Sequence, residues 1–121
     1  MARCLLIDDS RLARRICRAM LEKLGHSVSE AEEGEAGLKA YHAGRYDFIM
    51  VDQNMPLIGG TEFIRRLRNL VRDTEITVVL CSSDADPLLV RKALRSGANA
   101  YLNKPYTEGA LIRRLRRLQI S

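Results

Sequence analysis

Short, continuously apolar runs alternate along this chain with segments of helical period, and no other pattern in the sequence restricts the fold as much. The runs RCLLID (Arg3 to Asp8), DFIMVD (Asp47 to Asp52) and ITVVLC (Ile76 to Cys81) have the length and composition of strands buried on both faces. Two shorter strands are predicted at Ser27 to Ala31 and Ala100 to Asn103. Because buried strands that alternate with helices form parallel sheets covered on both faces, we predict an α/β, doubly wound fold with five parallel strands.

Five helices are predicted between and after these strands. Ser10 is the predicted N-cap of the first helix and Gly25 its stop, while Thr107 is the predicted N-cap of the last. The first four are predicted at Ser10 to Leu24, Glu35 to Ala43, Gly59-Gly60 to about Arg72, and Asp86 to Ser96. No linker or repeat interrupts the pattern, so we predict one domain over residues 1–121, without an output domain.

Composition narrows the class of protein further. With 46% hydrophobic and 29% charged residues, the 121-residue chain is too apolar for a disordered protein. No apolar run approaches the roughly 18 residues that a membrane span requires, and acids come too early for a signal peptide. We therefore expect a cytoplasmic protein that does not insert into a membrane.

The cysteines and histidines show no spacing typical of metal ligands. Cys4, Cys17 and Cys81 lie far apart among apolar neighbours, which predicts buried free thiols. His26 and His42 are isolated, and we expect both at the surface.

Polar side chains follow four of the five predicted strands at the points where those strands end. They are Asp8, Asp9, Asp52, Ser82, Ser83 and Lys104. Open α/β sheets bind ligands at this edge, so the side chains are expected to converge there. Three carboxylates require a cation, and oxygen ligands favour Mg²⁺ or a similar hard ion over zinc, while a lysine beside them suits a phosphoryl group. Each acid could alone be a strand-end cap, but the whole set at one edge favours a site.

Together these residues resemble the response-regulator receiver domain in its single-domain, CheY-like form. The resemblance rests on Asp8-Asp9, the VDQNMP run with Asp52, the pair Ser82-Ser83, and Lys104-Pro105, and it extends from Arg3 to Leu118. It implies the flavodoxin-like strand order 2-1-3-4-5.

The resemblance also implies roles for the acidic residues. Asp52 would be the phospho-acceptor, and Lys104 would pair with the phosphoryl oxygens. Mg²⁺ or Mn²⁺ would be held by Asp9, by Asp8 directly or through water, by Asp52, and by the backbone carbonyl of Asn54. Such positioning, with cations on the phosphoryl oxygens, is what phosphoryl transfer needs.

Two further residues would form a switch by the same resemblance. The Ser82 hydroxyl would move toward the phosphoryl group, and the Tyr101 ring would turn inward after it. The Lys104-Pro105 bond is expected to be cis. Gly59 stands where many receivers carry an aspartate, and this departure should not affect the chemistry.

The implied function is that of a stand-alone response regulator in two-component, chemotaxis-type signalling. Its partners would be a histidine kinase or phosphotransfer protein and a docking target, such as a flagellar switch protein, on the surface of helix four, strand five and helix five. It would not be an enzyme beyond Mg²⁺-dependent self-phosphorylation from a phosphodonor and autodephosphorylation. DNA is not an expected partner, since aromatic residues make up only 5% of the chain and no reading helix is evident.

Arginine accounts for sixteen of the twenty basic residues, and two sets fall on helices predicted to share one face of the sheet. The predicted exposed sets are Arg11, Arg14, Arg15 and Arg18 on the first helix and Arg113, Arg114, Arg116 and Arg117 on the last. They could merge into one basic surface. Three interpretations stay open: a solvated face, a site for cyclic di-GMP as in a subfamily of CheY-like receivers, or a surface for an acidic protein.

Overall fold

Five parallel strands form the centre of the fold in the part of the chain that the computed structural model describes, residues 1–70 and 75–120. They are β1 (Arg3–Ile7), β2 (Ser27–Ala31), β3 (Phe48–Asp52), β4 (Thr77–Ser82) and β5 (Ala100–Asn103). Their spatial order is β2-β1-β3-β4-β5, and all four neighbouring pairs are parallel. The predicted doubly wound fold and its strand order are confirmed.

A helix follows each strand. The helices are α1 (Arg11–Lys23), α2 (Gly34–Ala43), α3 (Gly60–Leu70), α4 (Pro87–Ser96) and α5 (Glu108–Arg117). Ser10 and Thr107 cap α1 and α5, each accepting a hydrogen bond from a backbone N–H three residues later, as predicted. Gly25 has a φ of 95°, which ends α1 as predicted. The predicted end of the third helix near Arg72 lies outside the described residues.

The helices cover both faces of the sheet. Cys17 and Leu21 of α1 and Leu111 and Leu115 of α5 pack with β-strand residues such as Phe48 in one apolar cluster. The opposite cluster contains residues of α2, α3 and α4, namely Leu38, Phe63, Ile64, Leu67 and Ala93. Successive strand residues alternate between the two clusters, as the pleat requires. The prediction that the first and last helices share one face is confirmed.

A close approach between α3 and the sheet places the start of that helix beside the end of β3. A Cβ on Gly60 would lie 2.4 Å from Leu80 Cδ1 and 2.7 Å from the Asp52 carbonyl oxygen. Only glycine fits at this position without displacing the backbone. The loop from Asp52 to α3 is therefore held tightly against the edge where β3 ends.

The isolated polar residues fall into two groups. The three cysteines are buried free thiols, as predicted. His42 is exposed, but the prediction that His26 lies at the surface is wrong, since only 5% of it is exposed. Its Nδ1 accepts a hydrogen bond from the Ala2 backbone N–H at 3.1 Å, and its ring meets the Phe48 ring edge to face.

Of the helices within residues 1–70 and 75–120, none is long and apolar enough to span a bilayer.

Candidate functional site

Three carboxylates meet at the carboxyl edge of the sheet. Asp8 follows β1, Asp9 comes next, and Asp52 ends β3, which lies beside β1. One oxygen from each carboxylate lies within 4.8 Å of the others. Asp8 and Asp52 are buried, whereas Asp9 is exposed to solvent. The cluster predicted from strand order is therefore present, with one open side.

Lys104 contacts two of these acids at once. Its Nζ lies 2.6 Å from Asp8 Oδ2 and 2.8 Å from Asp52 Oδ1. The residue follows β5, and the Lys104-Pro105 peptide bond is cis, as predicted. Burial lowers the pKa of the Lys104 ammonium, but its hydrogen bonds to Asp52 and Asp8 outweigh this and raise the pKa above its ordinary value. Lys104 is therefore a permanent cation in the site.

The charge of the Asp52 carboxylate is less well compensated by its neighbours than that of the Lys104 ammonium. Burial raises the pKa of its carboxyl, and the nearby Asp8 charge adds to that, while Lys104 and the Asn54 backbone N–H, which donates to Oδ2 at 3.1 Å, oppose it. The net shift is upward. The Lys104 ammonium has two carboxylate partners, whereas Asp8 and Asp52 share that one ammonium and repel each other. Asp52 is thus a buried carboxylate whose negative charge is incompletely compensated.

The donor set fits a hard divalent cation. Three carboxylates face one ammonium, which leaves two formal negative charges at the cluster. No hydrogen bond or ion pair to the Asp9 carboxylate occurs within residues 1–70 and 75–120, so its oxygens are available as ligands. Oxygen-only donors of this kind suit Mg²⁺ or Mn²⁺. The Asn54 backbone lies against Asp52, where the resemblance places a further ligand.

Ser82 and Tyr101 both bond to Asp84, a residue that the sequence did not single out for this role. The buried Ser82 Oγ accepts a hydrogen bond from the Asp84 N–H at 3.1 Å, and the Tyr101 hydroxyl donates to the Asp84 carbonyl. The half-buried Tyr101 lines both a groove of about 560 Å³ and a small cavity of about 40 Å³ that Ser82 also lines. The two predicted switch residues are therefore linked through one peptide segment.

An apolar groove of about 330 Å³ runs beside Lys104, between α1 and the segment that precedes α5. Ala13, Ile16, Cys17, Met20, Pro105 and Tyr106 line most of it. Leu12 and Ile16 leave 66% and 49% of their surface exposed on the adjoining face of α1. The helical period of the apolar residues in α1 does not distinguish buried from exposed positions, so the sequence did not reveal this surface.

The predicted basic surface on α1 is wrong for Arg14, which is buried. Glu30 of β2 bonds both Arg14 and Arg18, at 2.9 and 2.6 Å, and the exposed Glu32 lies 3.8 Å from Arg14. Arg18 also pairs with Glu22. Glu30 lies on β2 and Glu32 directly after it, so helical spacing could not reveal these two partners, whereas Glu22 lies four residues after Arg18 on α1 itself. Only Arg11 and Arg15 of the predicted α1 set are exposed without an ion pair among the described residues.

The α5 arginines face two directions. Arg114 and Arg117 line the 560 Å³ groove together with α4 and β5. Arg116 lines a separate cavity of about 220 Å³ beside His26. Within the described chain, none of the four predicted α5 arginines has a carboxylate at ion-pair distance. The two sets could have merged by sequence, but Arg14 and Arg18 are bound to Glu30 of β2 and the α5 arginines line separate cavities.

Residues 4–116 match the family described as the response regulator receiver domain. The chain is 30% identical over 115 residues to chemotaxis protein CheY of Pseudomonas aeruginosa, covering 94% of this chain and 93% of that protein. It is 41% identical over 102 residues to a gliding motility regulatory protein of Myxococcus xanthus, covering 84% of this chain but only 13% of that protein. Among solved structures, CheY4 of Vibrio cholerae superposes with a TM-score of 0.91 at 28% identity, covering 97% of this chain and 98% of that one.

Proposed function

This chain belongs to the response regulator receiver domain family, and on that basis we propose that Asp52 accepts a phosphoryl group from the phosphohistidine of a histidine kinase or phosphotransfer protein. The observation that carries the proposal is the Lys104 ammonium at 2.6 and 2.8 Å from Asp8 and Asp52. A cation between a metal-binding acid and a nucleophilic acid is what an incoming phosphoryl group requires.

The reaction follows from the groups present. An Asp52 carboxylate oxygen attacks the phosphorus, a P–O bond forms, the P–N bond to the donor histidine breaks, and its electron pair stays on the imidazole. Lys104 then transfers part of its hydrogen bonding from Asp52 to a phosphoryl oxygen. The Asn54 N–H holds Asp52 Oδ2 in place during the attack. Apart from this self-phosphorylation and the later hydrolytic loss of the group, we propose no enzymatic activity.

Asp8, Asp9, Asp52 and the Asn54 carbonyl would hold Mg²⁺ or Mn²⁺. When bound, the ion neutralises charge on the phosphoryl oxygens. The two formal negative charges left at the acid cluster support this assignment. The exposed side of the cluster at Asp9 gives the ion and the phosphoryl group their way in.

The phosphodonor would dock on the apolar groove beside Lys104. Any protein that brings a phosphohistidine to the buried Asp52 must cover the mouth of the site, and this groove opens next to it. The exposed side chains of Leu12 and Ile16 would then be buried by the donor. Apolar groups of this size favour protein contact over continued exposure to water.

The output would be a docking event on α4, β5 and α5, controlled by Ser82 and Tyr101. Movement of the Ser82 hydroxyl toward a phosphoryl group breaks its bond to Asp84, the residue that also holds Tyr101. Tyr101 lines the groove on this surface, so a change in its packing alters what can bind there. The likeness to a chemotaxis protein supports a flagellar switch protein as the target.

Phosphorylation is tested with acetyl phosphate and Mg²⁺, followed by intact-protein mass spectrometry. The wild type should gain the mass of one phosphoryl group, and Asp52→Asn should gain none. Asp9→Asn retains the acceptor but should react far more slowly, since a cation ligand is lost. No gain in the wild type, or an equal gain in Asp52→Asn, would remove the proposal.

A second candidate function is cyclic di-GMP binding on the arginine-rich surface. It is favoured by a cavity of about 290 Å³ that Arg113, Arg114 and Arg117 line, because arginine forks bind phosphates. Calorimetric titration with cyclic di-GMP should then give heat that Arg113→Ala and Arg117→Ala abolish. Arg116→Ala is the matched control, since Arg116 lines the other cavity. Absence of heat, or equal loss in all three variants, would argue against this candidate.

A further inference from the structure

Within residues 1–70 and 75–120, Arg14 is the only lysine or arginine that is buried. Its side chain is only 8% exposed. Its Nη1 donates to the Asp8 carbonyl oxygen at 2.6 Å, and its Nε donates to Glu30 Oε1 at 2.9 Å. The guanidinium thus joins the turn that carries the acid cluster to the neighbouring strand β2.

Glu30 is a firm anchor for this guanidinium. Its other oxygen accepts a hydrogen bond from Arg18 at 2.6 Å, and Arg18 is held in turn by Glu22 at 3.3 Å. The bond from Arg18 and then that from Arg14 lower the pKa of the Glu30 carboxyl, so it stays ionised near neutral pH. Arg14 cannot turn away from Asp8 without breaking a charged pair in a buried position.

The Asp8 carbonyl belongs to the peptide unit that joins Asp8 to Asp9, and its orientation decides where the Asp9 carboxylate lies. The Asp8 carboxylate accepts two hydrogen bonds, from the Ser10 N–H at 2.9 Å and from Lys104 at 2.6 Å. The Asp9 side chain has neither a hydrogen bond nor an ion pair within the described chain. Its place in the cluster is therefore set by the backbone that Arg14 holds.

We propose that Arg14 is a positioning residue, which fixes the Asp8–Asp9 peptide unit and so the spacing of the carboxylates that take a divalent cation. This role rests on the cation site proposed above. Arginine suits it because its planar fork donates to a carboxylate and a carbonyl at the same time, which a lysine ammonium on a flexible stem does not reproduce. Outer groups that orient metal ligands commonly affect affinity as strongly as a ligand does.

Mn²⁺ titration by calorimetry separates positioning from simple electrostatics, because the two predict opposite signs. Removing a positive charge near a cation site should tighten Mn²⁺ binding if charge alone matters. Loss of positioning should instead weaken it, and we expect the Kd for Arg14→Gln to rise about tenfold. Arg15→Gln is the matched control, since it removes the same charge from an exposed neighbour on α1 and should leave the Kd unchanged or slightly lower.

Two further variants keep the outcome decisive. Arg14→Lys retains the charge and should not restore affinity, whereas Glu30→Gln leaves Arg14 in place and should weaken Mn²⁺ binding by about threefold, less than the tenfold loss typical of a removed outer group. If circular dichroism shows that Arg14→Gln does not fold, Arg14→Lys decides, because it keeps the positive charge and charge alone then predicts wild-type affinity. Mn²⁺ binding as tight as wild type in the folded Arg14 variant, or equal weakening in Arg15→Gln, overturns the positioning role. A wild type that binds no Mn²⁺ removes the cation site itself.

Discussion

Lys104 reaches across β4 to Asp52, and its Nζ lies 2.8 Å from a carboxylate oxygen of a strand that is not adjacent to its own. The same ammonium bonds Asp8, 96 residues earlier in the chain. One cation therefore ties β1, β3 and β5 together at the edge where the candidate chemistry takes place. This contact therefore affects both the stability of the fold and the proposed phosphoryl transfer. Substitution of Lys104 can test its effect on stability.

Lys104→Met should destabilise the protein and make it depend on added cation. The change leaves two buried carboxylates without their ammonium, which we expect to lower the free energy of unfolding by about 1–3 kcal/mol in chelator. Mg²⁺ should then stabilise the variant more than the wild type, since it replaces the missing positive charge. Urea denaturation with and without Mg²⁺ measures both effects. Lys39→Met, at an exposed lysine, is the control, and equal Mg²⁺ stabilisation in all three proteins would contradict the account.

Leu57→Gly should stabilise the fold. Leu57 has a φ of 70° and is 87% exposed, so its side chain gains little packing in return for a left-handed backbone. That conformation costs a non-glycine residue about 1–2 kcal/mol, while glycine adds chain entropy to the unfolded state, so a net gain of about 1 kcal/mol is expected. Leu57→Ala keeps the strain and should not gain. Urea midpoints that are equal for Leu57→Gly and Leu57→Ala would show that the backbone is not strained there.

Acidification should weaken the fold through His26. Burial, followed by the nearby N-terminal charge, lowers the pKa of His26 below its ordinary value of 6.5. The folded state then binds fewer protons than the unfolded state. The contribution of His26 to stability is therefore fully present above the ordinary pKa of 6.5 and is lost as the pH falls through the lower pKa of the folded state. Thermal unfolding between pH 7.5 and about 5.5 should show a loss of a few degrees in the wild type that His26→Gln largely removes. His42→Gln, at an exposed histidine, should retain the wild-type slope, and the same slope in His26→Gln would exclude this cause.

The fold and the acid cluster could be predicted from the sequence because both depend on order along the chain. Each buried strand is continuous and ends in its polar residue, and parallel strands place those ends at one edge. Asp8, Asp52 and Lys104 are therefore brought together by topology, which the alternation of strands and helices already specifies.

The environment of Arg14 and His26 could not be predicted in the same way. Helical spacing placed Arg14 on the polar side of α1, but the residue is buried and paired with Glu30, which lies on β2. His26 is buried, with its Nδ1 bonded to the Ala2 N–H and its ring against Phe48. Both outcomes depend on contacts between distant segments, and local sequence patterns do not encode them.

We propose that Asp52 itself takes the phosphoryl group, and this is tested by locating the modified residue. After reaction with acetyl phosphate and Mg²⁺, borohydride reduction converts an acyl phosphate into a stable alcohol, and peptide mass spectrometry identifies its position. We expect a single reduced site, at Asp52, which is absent when phosphodonor or divalent cation is omitted. Reduction at Asp8 or Asp9, or no reduced aspartate in a folded protein, would show that Asp52 is not the acceptor.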